Sequence, residues 1–204
     1  MFKLNETPIE SITIGGNTFK INTAFNFALK AVSILDKIQE GVISQQEAVE
    51  PLFDILVADS HKYDKEPLEA KLYVVAAIIK NFINIGGEKE KEYDLAGNEI
   101  ASREEETEQA FCFEQDATLI YSAFMQAYNI DLFREFGRLH WHSFIALMNG
   151  LPNETRFSQV IDIRTCELPT GKGSGKERER LLKLKEKYRI KKNSEESEVL
   201  SYGE

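Results

Sequence analysis

Beyond residue 23 the apolar positions return every three or four residues, and before it they alternate. The N-terminal stretch ESITIGGNTFKI is two short β-type runs around Gly15-Gly16-Asn17, residues that supply the positive φ of a tight turn, so it predicts a β-hairpin over Ile12 to Ile21. Thr23 then offers a helix N-cap before AFNFALKAVSILDKIQEG, where Phe27, Ala31, Ile34, Leu35 and Ile38 share a face and Gly41 ends the run. Ser44 to Glu47 (SQQE) has the form of a capping box opening a helix toward Val57, and Pro51 inside that pattern predicts a kink or a later start. Glu66-Pro67 opens a further helix with Pro67 at its first position, running to Gly86-Gly87. Because that helix is apolar nearly all round from Leu72 to Ile79, it is expected to be the most buried element.

Two more helical patterns follow a charged block. FEQDATLIYSAFMQAYNIDLF has Asp116 as a candidate cap and a stripe of Ala117, Ile120, Tyr121, Phe124 and Tyr128. GRLHWHSFIALMNGLPNETRF places two of the three histidines either side of the only tryptophan. On a continuous helix Trp141, Phe144, Ile145 and Met148 fall on one face, while His140 and His142 stand about 200° apart and flank the stripe on opposite sides. So placed they cannot hold one ion, unlike the i, i+4 pair of a His-Glu-x-x-His site, and His61 has no ligand pattern beyond Asp59 and Asp64. The expectation is no metal site, with Trp141 in the core and the histidines hydrogen-bonded at its rim.

Charge changes the picture at two places. Residues 171–192 carry ten Lys or Arg against Glu177, Glu179 and Glu186, a segment of +7, which leaves −16 for the remainder of a chain whose net charge is −9. Four Gly or Ser within residues 171–175 predict a joint, and the helix-friendly sequence after it predicts a helix from Glu177 to Lys191. An isolated helix of that length is marginal in water, so Leu181, Leu184 and Tyr188 are expected to dock on the acidic body or to bind a partner. The second place is Glu88 to Glu108, nine acidic and three basic residues with almost no apolar content, which reads as a mobile acidic loop with a small hairpin near Ala96-Gly97-Asn98. The fold expected is mainly α: a single helical domain over residues 1–170 with an N-terminal β-hairpin and an acidic loop at 86–110, then a basic helical arm and acidic tail over 171–204. No apolar run reaches the roughly 20 residues of a membrane span and the N-terminus has no signal pattern, so the protein is expected in the cytoplasm, without a membrane partner. Cys112 and Cys166 read as buried or half-buried thiols.

Enzymatic signatures are missing from the sequence. It contains no Gly-x-Gly-x-x-Gly, no Walker-type Gly-Lys-Ser/Thr, no Gly-x-Ser-x-Gly and no nucleophile with a local base. GKGSGKERER follows Pro169 without a preceding strand and reads as a linker, and Glu104-Glu105-Glu106 lie in the charged run, with no dry pocket to separate their pKa values. No catalytic residue, cofactor site or metal site is assigned, and a non-enzymatic protein is expected.

Five short motifs, in order, carry a resemblance: Ile120-Tyr121-Ser122-Ala123-Phe124, Tyr128-Asn129-Ile130-Asp131-Leu132, Leu139-His140-Trp141 with Phe144, Asn149-Gly150-Leu151, and Ile163-Arg164-Thr165. Together they cover about a quarter of the chain and resemble a small bacteriophage family encoded with the tail genes of temperate siphophages of Gram-positive bacteria. The resemblance implies a tail assembly chaperone of the host bacterial cytoplasm, which holds the tape measure protein until the tail tube forms around it. It implies no cofactor, and it allows self-association or a longer frameshifted form. The residues singled out for a partner surface are Arg138, His142, Asn149, Arg156 and Arg164, which could equally be caps and rim hydrogen bonds. The alternative is a nucleic-acid-binding phage accessory protein acting through the basic arm, whose lysines and arginines could neutralise phosphates. Against it stand the apolar side of Leu181, Leu182 and Leu184 and the acidic body.

Overall fold

The computed structural model describes residues 8–83, 110–171 and 173–191; the acidic loop, its small hairpin and the acidic tail expected from composition lie outside these. The chain divides into two compact units, Met1–Ser102 with Asp131–Gly150 and Arg103–Ile130 with Leu151–Glu204. The described residues form one two-stranded antiparallel hairpin and seven α-helices, so the fold is mainly helical as the spacing predicts.

In the first unit, β1 (Ser11–Ile14) pairs with β2 (Asn17–Lys20) in the register Ile14↔Asn17, around Gly15 and Gly16 at φ 58° and 85°. Two successive positive φ values are what a two-residue type I′ turn demands, and glycine meets them without strain. The chain then runs extended between two other elements. Asn22 N–H donates to the Leu56 carbonyl (2.8 Å) and its side-chain amide to that of Ile55 (2.8 Å), while Phe25 N–H donates to Leu139 (2.9 Å) and Trp141 N–H to Thr23 (2.8 Å). These bonds decide where α1 (Phe25–Gln39) begins. Its cap residue is Ala24, with no side-chain cap; the expected Thr23 cap does not form, because the first backbone donor already has a tertiary partner.

α2 (Gln45–Leu56) opens on the capping box read from SQQE. Ser44 Oγ accepts from Glu47 N–H at 3.3 Å, and the Glu47 carboxylate accepts from Ser44 N–H at 2.9 Å. The Ser44 hydroxyl also donates to the Glu47 carboxylate at 2.7 Å, and this bond, followed by the one from Ser44 N–H, holds the exposed Glu47 carboxyl below the usual carboxylate range. Pro51 lies inside α2 and does not delay its start, since the box has already fixed the first turn. A 3₁₀ turn (Ser60–Tyr63) leads to α3 (Leu68–Ile78), which is continued by a π-helical turn over Ile79–Ile83; Pro67 is the extended residue before the helix and not the expected first helical residue. α3 departs from expectation: Val74, Val75 and Ile78 are buried, but Leu72 and Tyr73 are 46% and 70% exposed, and Lys71 is buried at 5%. An all-round apolar helix need not be the central one; here it packs on α2 and β1 and leaves a side uncovered. α5 (Trp141–Asn149) packs on α1 through Phe144, stacked on Phe25 with ring centres 4.9 Å apart.

In the second unit, α4 (Ala117–Tyr128) packs on α6 (Arg156–Thr165), and α6 on α7 (Gly175–Lys187). α4 ends at Asn129 in the left-handed region (φ 54°), which asparagine tolerates better than most residues, and Thr155 caps α6 by accepting from Ser158 N–H. Asp116 sits at the cap position of α4 without making the expected cap bond. The basic arm is helical, over Gly175–Lys187 and not the expected Glu177 to Lys191, with Leu181, Leu184, Lys185 and Tyr188 half-buried.

Candidate functional site

The first unit holds a groove between the hairpin and α3, about 230 Å³, lined by Ile14, Gly15, Asn17, Phe19, Phe53, Glu66, Ala70, Lys71, Tyr73 and Val74. Its floor is aromatic, with Phe19 and Phe53 edge to face at 6.4 Å between centres. Lys71 is a buried cation that the fold neutralises: its Nζ lies 2.7 and 2.9 Å from the two carboxylate oxygens of Glu50 and 5.4 Å from the centre of the Phe53 ring. Leu68, Leu72 and Ala76 are exposed along α3 at intervals of four residues, so an apolar stripe runs along this helix. A second exposed apolar pair, Phe133 and Phe136, has ring centres 5.8 Å apart, and Phe136 leans on Phe25.

The histidine geometry differs from the helical-wheel expectation. His140 is the N-cap residue of α5, in extended backbone conformation, so the rotation per residue of a helix does not apply to it. Its Nδ1 accepts from His142 N–H at 3.2 Å, and the two rings stand 5.1 Å apart instead of on opposite sides. Both pack on Phe82, and a ring nitrogen of His142, Nε2, lies 3.2 Å from the Phe82 carbonyl oxygen. Burial pushes both imidazoles below the ordinary value; for His140 the neighbouring His142 adds to this, with the backbone of Ile9 and the charge of Glu10 opposing, and for His142 the Phe82 carbonyl opposes it. The buried Nε2 of His140 meets no hydrogen-bond partner of good geometry. Among the described residues no three His, Cys, Asp or Glu side chains are placed to hold one ion. Trp141 itself is 2% exposed and donates Nε1–H to the Ile83 carbonyl at 3.3 Å.

In the second unit Arg164 is the organising side chain. It meets the Asp116 carboxylate with two parallel bonds of 2.6 and 2.9 Å, and donates to the carbonyls of Ala110 (3.1 Å) and Tyr188 (2.6 Å). The side chains of the pair are 11% and 4% exposed, and Asp116 also accepts from Cys112 N–H at 3.0 Å. This is why Asp116 is not a conventional cap: its oxygens are turned to the guanidinium and to the loop before the helix. Arg156, exposed, lies over the Tyr188 ring at 5.2 Å and donates to its hydroxyl. Of the five residues singled out from sequence, Arg138, His142 and Asn149 belong to the first unit and Arg156 and Arg164 to the second. Arg138 and Asn149 are exposed, His142 half-buried, and Arg164 is committed inside its unit. The groove and the open stripe of α3 were missed, although their signal was present: a helix with apolar residues on every side has more apolar surface than one core face can cover.

Both cysteines are half-buried free thiols. No helix among the described residues is long and apolar enough to cross a membrane. Comparison with curated proteins and with solved structures gives no match. The family model described as Bacteriophage Gp15 protein matches residues 4–190, which takes in both units, the five sequence motifs and the basic helix, and the chain therefore belongs to that bacteriophage family.

Proposed function

We propose that this phage protein is a tail assembly chaperone that binds the tape measure protein and keeps it soluble in the host cytoplasm, acting by holding its partner and not by catalysis. What supports the reading, beside membership of the phage family and the motif resemblance, is the open apolar side of α3, where Leu68, Leu72 and Tyr73 are 39%, 46% and 70% exposed. A tape measure protein is a long helical chain whose apolar stripes aggregate unless covered, and an exposed apolar helix face is a surface that can cover such a stripe. Exposed large apolar residues cost solubility in a protein that has no use for them.

The test is co-expression of the tagged chain with the tape measure protein encoded in the same phage. Soluble tape measure protein should co-purify with the wild type and be lost, or move to the pellet, with the double variant Leu72→Asp/Tyr73→Asp. Both positions are exposed, so that variant should keep its helical circular dichroism. A wild-type chain that leaves the tape measure protein insoluble and uncaptured would overturn the reading.

A further inference from the structure

We propose that the groove between the hairpin and α3 is an anchor pocket that receives one large apolar side chain from a partner helix carrying a Lys or Arg about one turn away. This deepens the chaperone reading and rests on it for the partner being a helix. Three observations select that occupant.

The first is size. At about 230 Å³ the groove falls below the roughly 300–1,000 Å³ of sites that enclose a free small molecule, yet it suits a single apolar side chain over Phe19, Phe53 and Val74. The second is shape. Glu66, Ala70, Tyr73 and Val74 line the groove from one side of α3 and Tyr73 is 70% exposed, so a helix lying along that edge of α3 can lower one residue into the groove; Leu72 stands about 200° around the helix from Ala70 and Val74, and the stripe of Leu68, Leu72 and Ala76 faces away from it.

The third is charge. Lys71 at the groove is ion-paired with Glu50, which lies outside the lining, so Glu66 is the lining charge that a partner would meet. A cation one helical turn from the anchor would meet that carboxylate, and the chain's net charge of −9 favours a cationic partner at long range. The same charge disfavours a second copy as occupant, since each copy carries −9 and its basic helix α7 is already packed on α6.

The probe is a stapled, fluorescently labelled helical peptide with one Phe and, one turn away, one Lys. Two companions carry Phe→Ala or Lys→Glu, and binding is read by anisotropy. The wild-type chain should bind the parent peptide and lose at least about tenfold in affinity for the Phe→Ala companion, as when a hot-spot anchor is removed. Ala70→Trp, which fills the groove from the first turn of α3, should weaken the parent peptide by a similar factor. Glu66→Lys leaves the apolar walls intact; it should weaken the parent peptide and strengthen the Lys→Glu companion. A folded Ala70→Trp variant that binds the parent peptide like the wild type overturns the pocket. So does a wild-type dimer that Ala70→Trp converts to monomer, because the groove would then belong to a second copy. The two readings separate in the co-expression assay. If Ala70→Trp and Glu66→Lys still capture tape measure protein, the pocket fails and the chaperone stands; if the wild type captures none while the peptide pattern holds, the chaperone fails and the pocket stands.

Discussion

Trp141 and Arg164 anchor the two units by opposite means, one through apolar burial and one through ion pairing. Trp141 is 2% exposed and stacks on Phe144 at 5.7 Å, so Trp141→Ala removes both buried area and ring contacts and should cost about 3–5 kcal/mol in urea unfolding. A loss below about 1 kcal/mol would mean that the site collapses around the cavity or that the ring is not core. Arg164→Met leaves the Asp116 carboxylate buried at 4% without its cation, and breaking such a pair from one side costs about 3–5 kcal/mol. Adding Asp116→Leu to it should recover part of the loss, because the uncompensated charge goes with the carboxylate; a double variant worse than the sum of the singles would show that the pair is not the source of the effect. The histidines give a pH dependence whose sign follows from burial. Their folded values lie below the ordinary value near 6.5, so the unfolded chain binds more protons than the folded one just below that pH. Stability is thus complete above about pH 6.5 and declines as pH falls through it, and the melting temperature should drop between about pH 7.5 and pH 5.5, less steeply in His140→Gln/His142→Gln. An equal slope in that variant would assign the decline to carboxylates elsewhere.

At the scale of elements, what could be read from the sequence was what short stretches settle among themselves. The Ser44–Glu47 capping box is such a case: both partners lie within one turn, and both bonds form. Ser44→Ala should therefore cost about 1 kcal/mol, whereas Thr23→Ala should cost little, since Thr23 contributes its carbonyl to Trp141 and no side-chain cap to α1; a larger loss at Thr23 than at Ser44 would reverse this assignment. The Gly15-Gly16 turn and the arm helix were legible for the same reason. What was not legible depends on residues distant in sequence. The cap of α1 is overridden by Leu139, more than a hundred positions away, and His140 leaves the helical wheel because it pairs with Ala24 in extended form. Asp116 reads as a cap until Arg164 arrives from α6. The open side of α3 could not be told from a core face, because periodicity reports how much apolar surface a helix has and not how much of it the rest of the chain covers. Of the candidate site, then, the sequence motifs located α4, α5 and α6 but named side chains that serve mostly as internal fasteners, and they passed over the groove.

For the whole molecule, the charge asymmetry poses the choice between holding a protein and holding nucleic acid, and the surface of α7 bears on it. Its three glutamates are each beside a cation, Glu177 with Arg180 at 3.7 Å, Glu179 with Lys183 at 2.7 Å and Glu186 with Arg189 at 3.8 Å. Such exposed pairs add little stability, but they lower the density of positive charge that a phosphate backbone would meet. Lys185 donates to the Arg164 carbonyl, and Lys191 N–H donates to the Gln115 side chain, whose amide donates back to the Lys191 carbonyl, so part of the arm is occupied with its own unit. With a net charge of −9 for the whole chain, this helix included, the intact chain should pass through a heparin column at about 0.15 M salt and should show no retarded band with duplex DNA of mixed sequence. Truncation after Pro169 should leave that result unchanged while lowering the stability of the second unit, because Arg164 loses the Tyr188 carbonyl and α6 loses its cover. Retention on heparin with a steep salt dependence, abolished by the same truncation, would give the arm to nucleic acid and count against the chaperone reading.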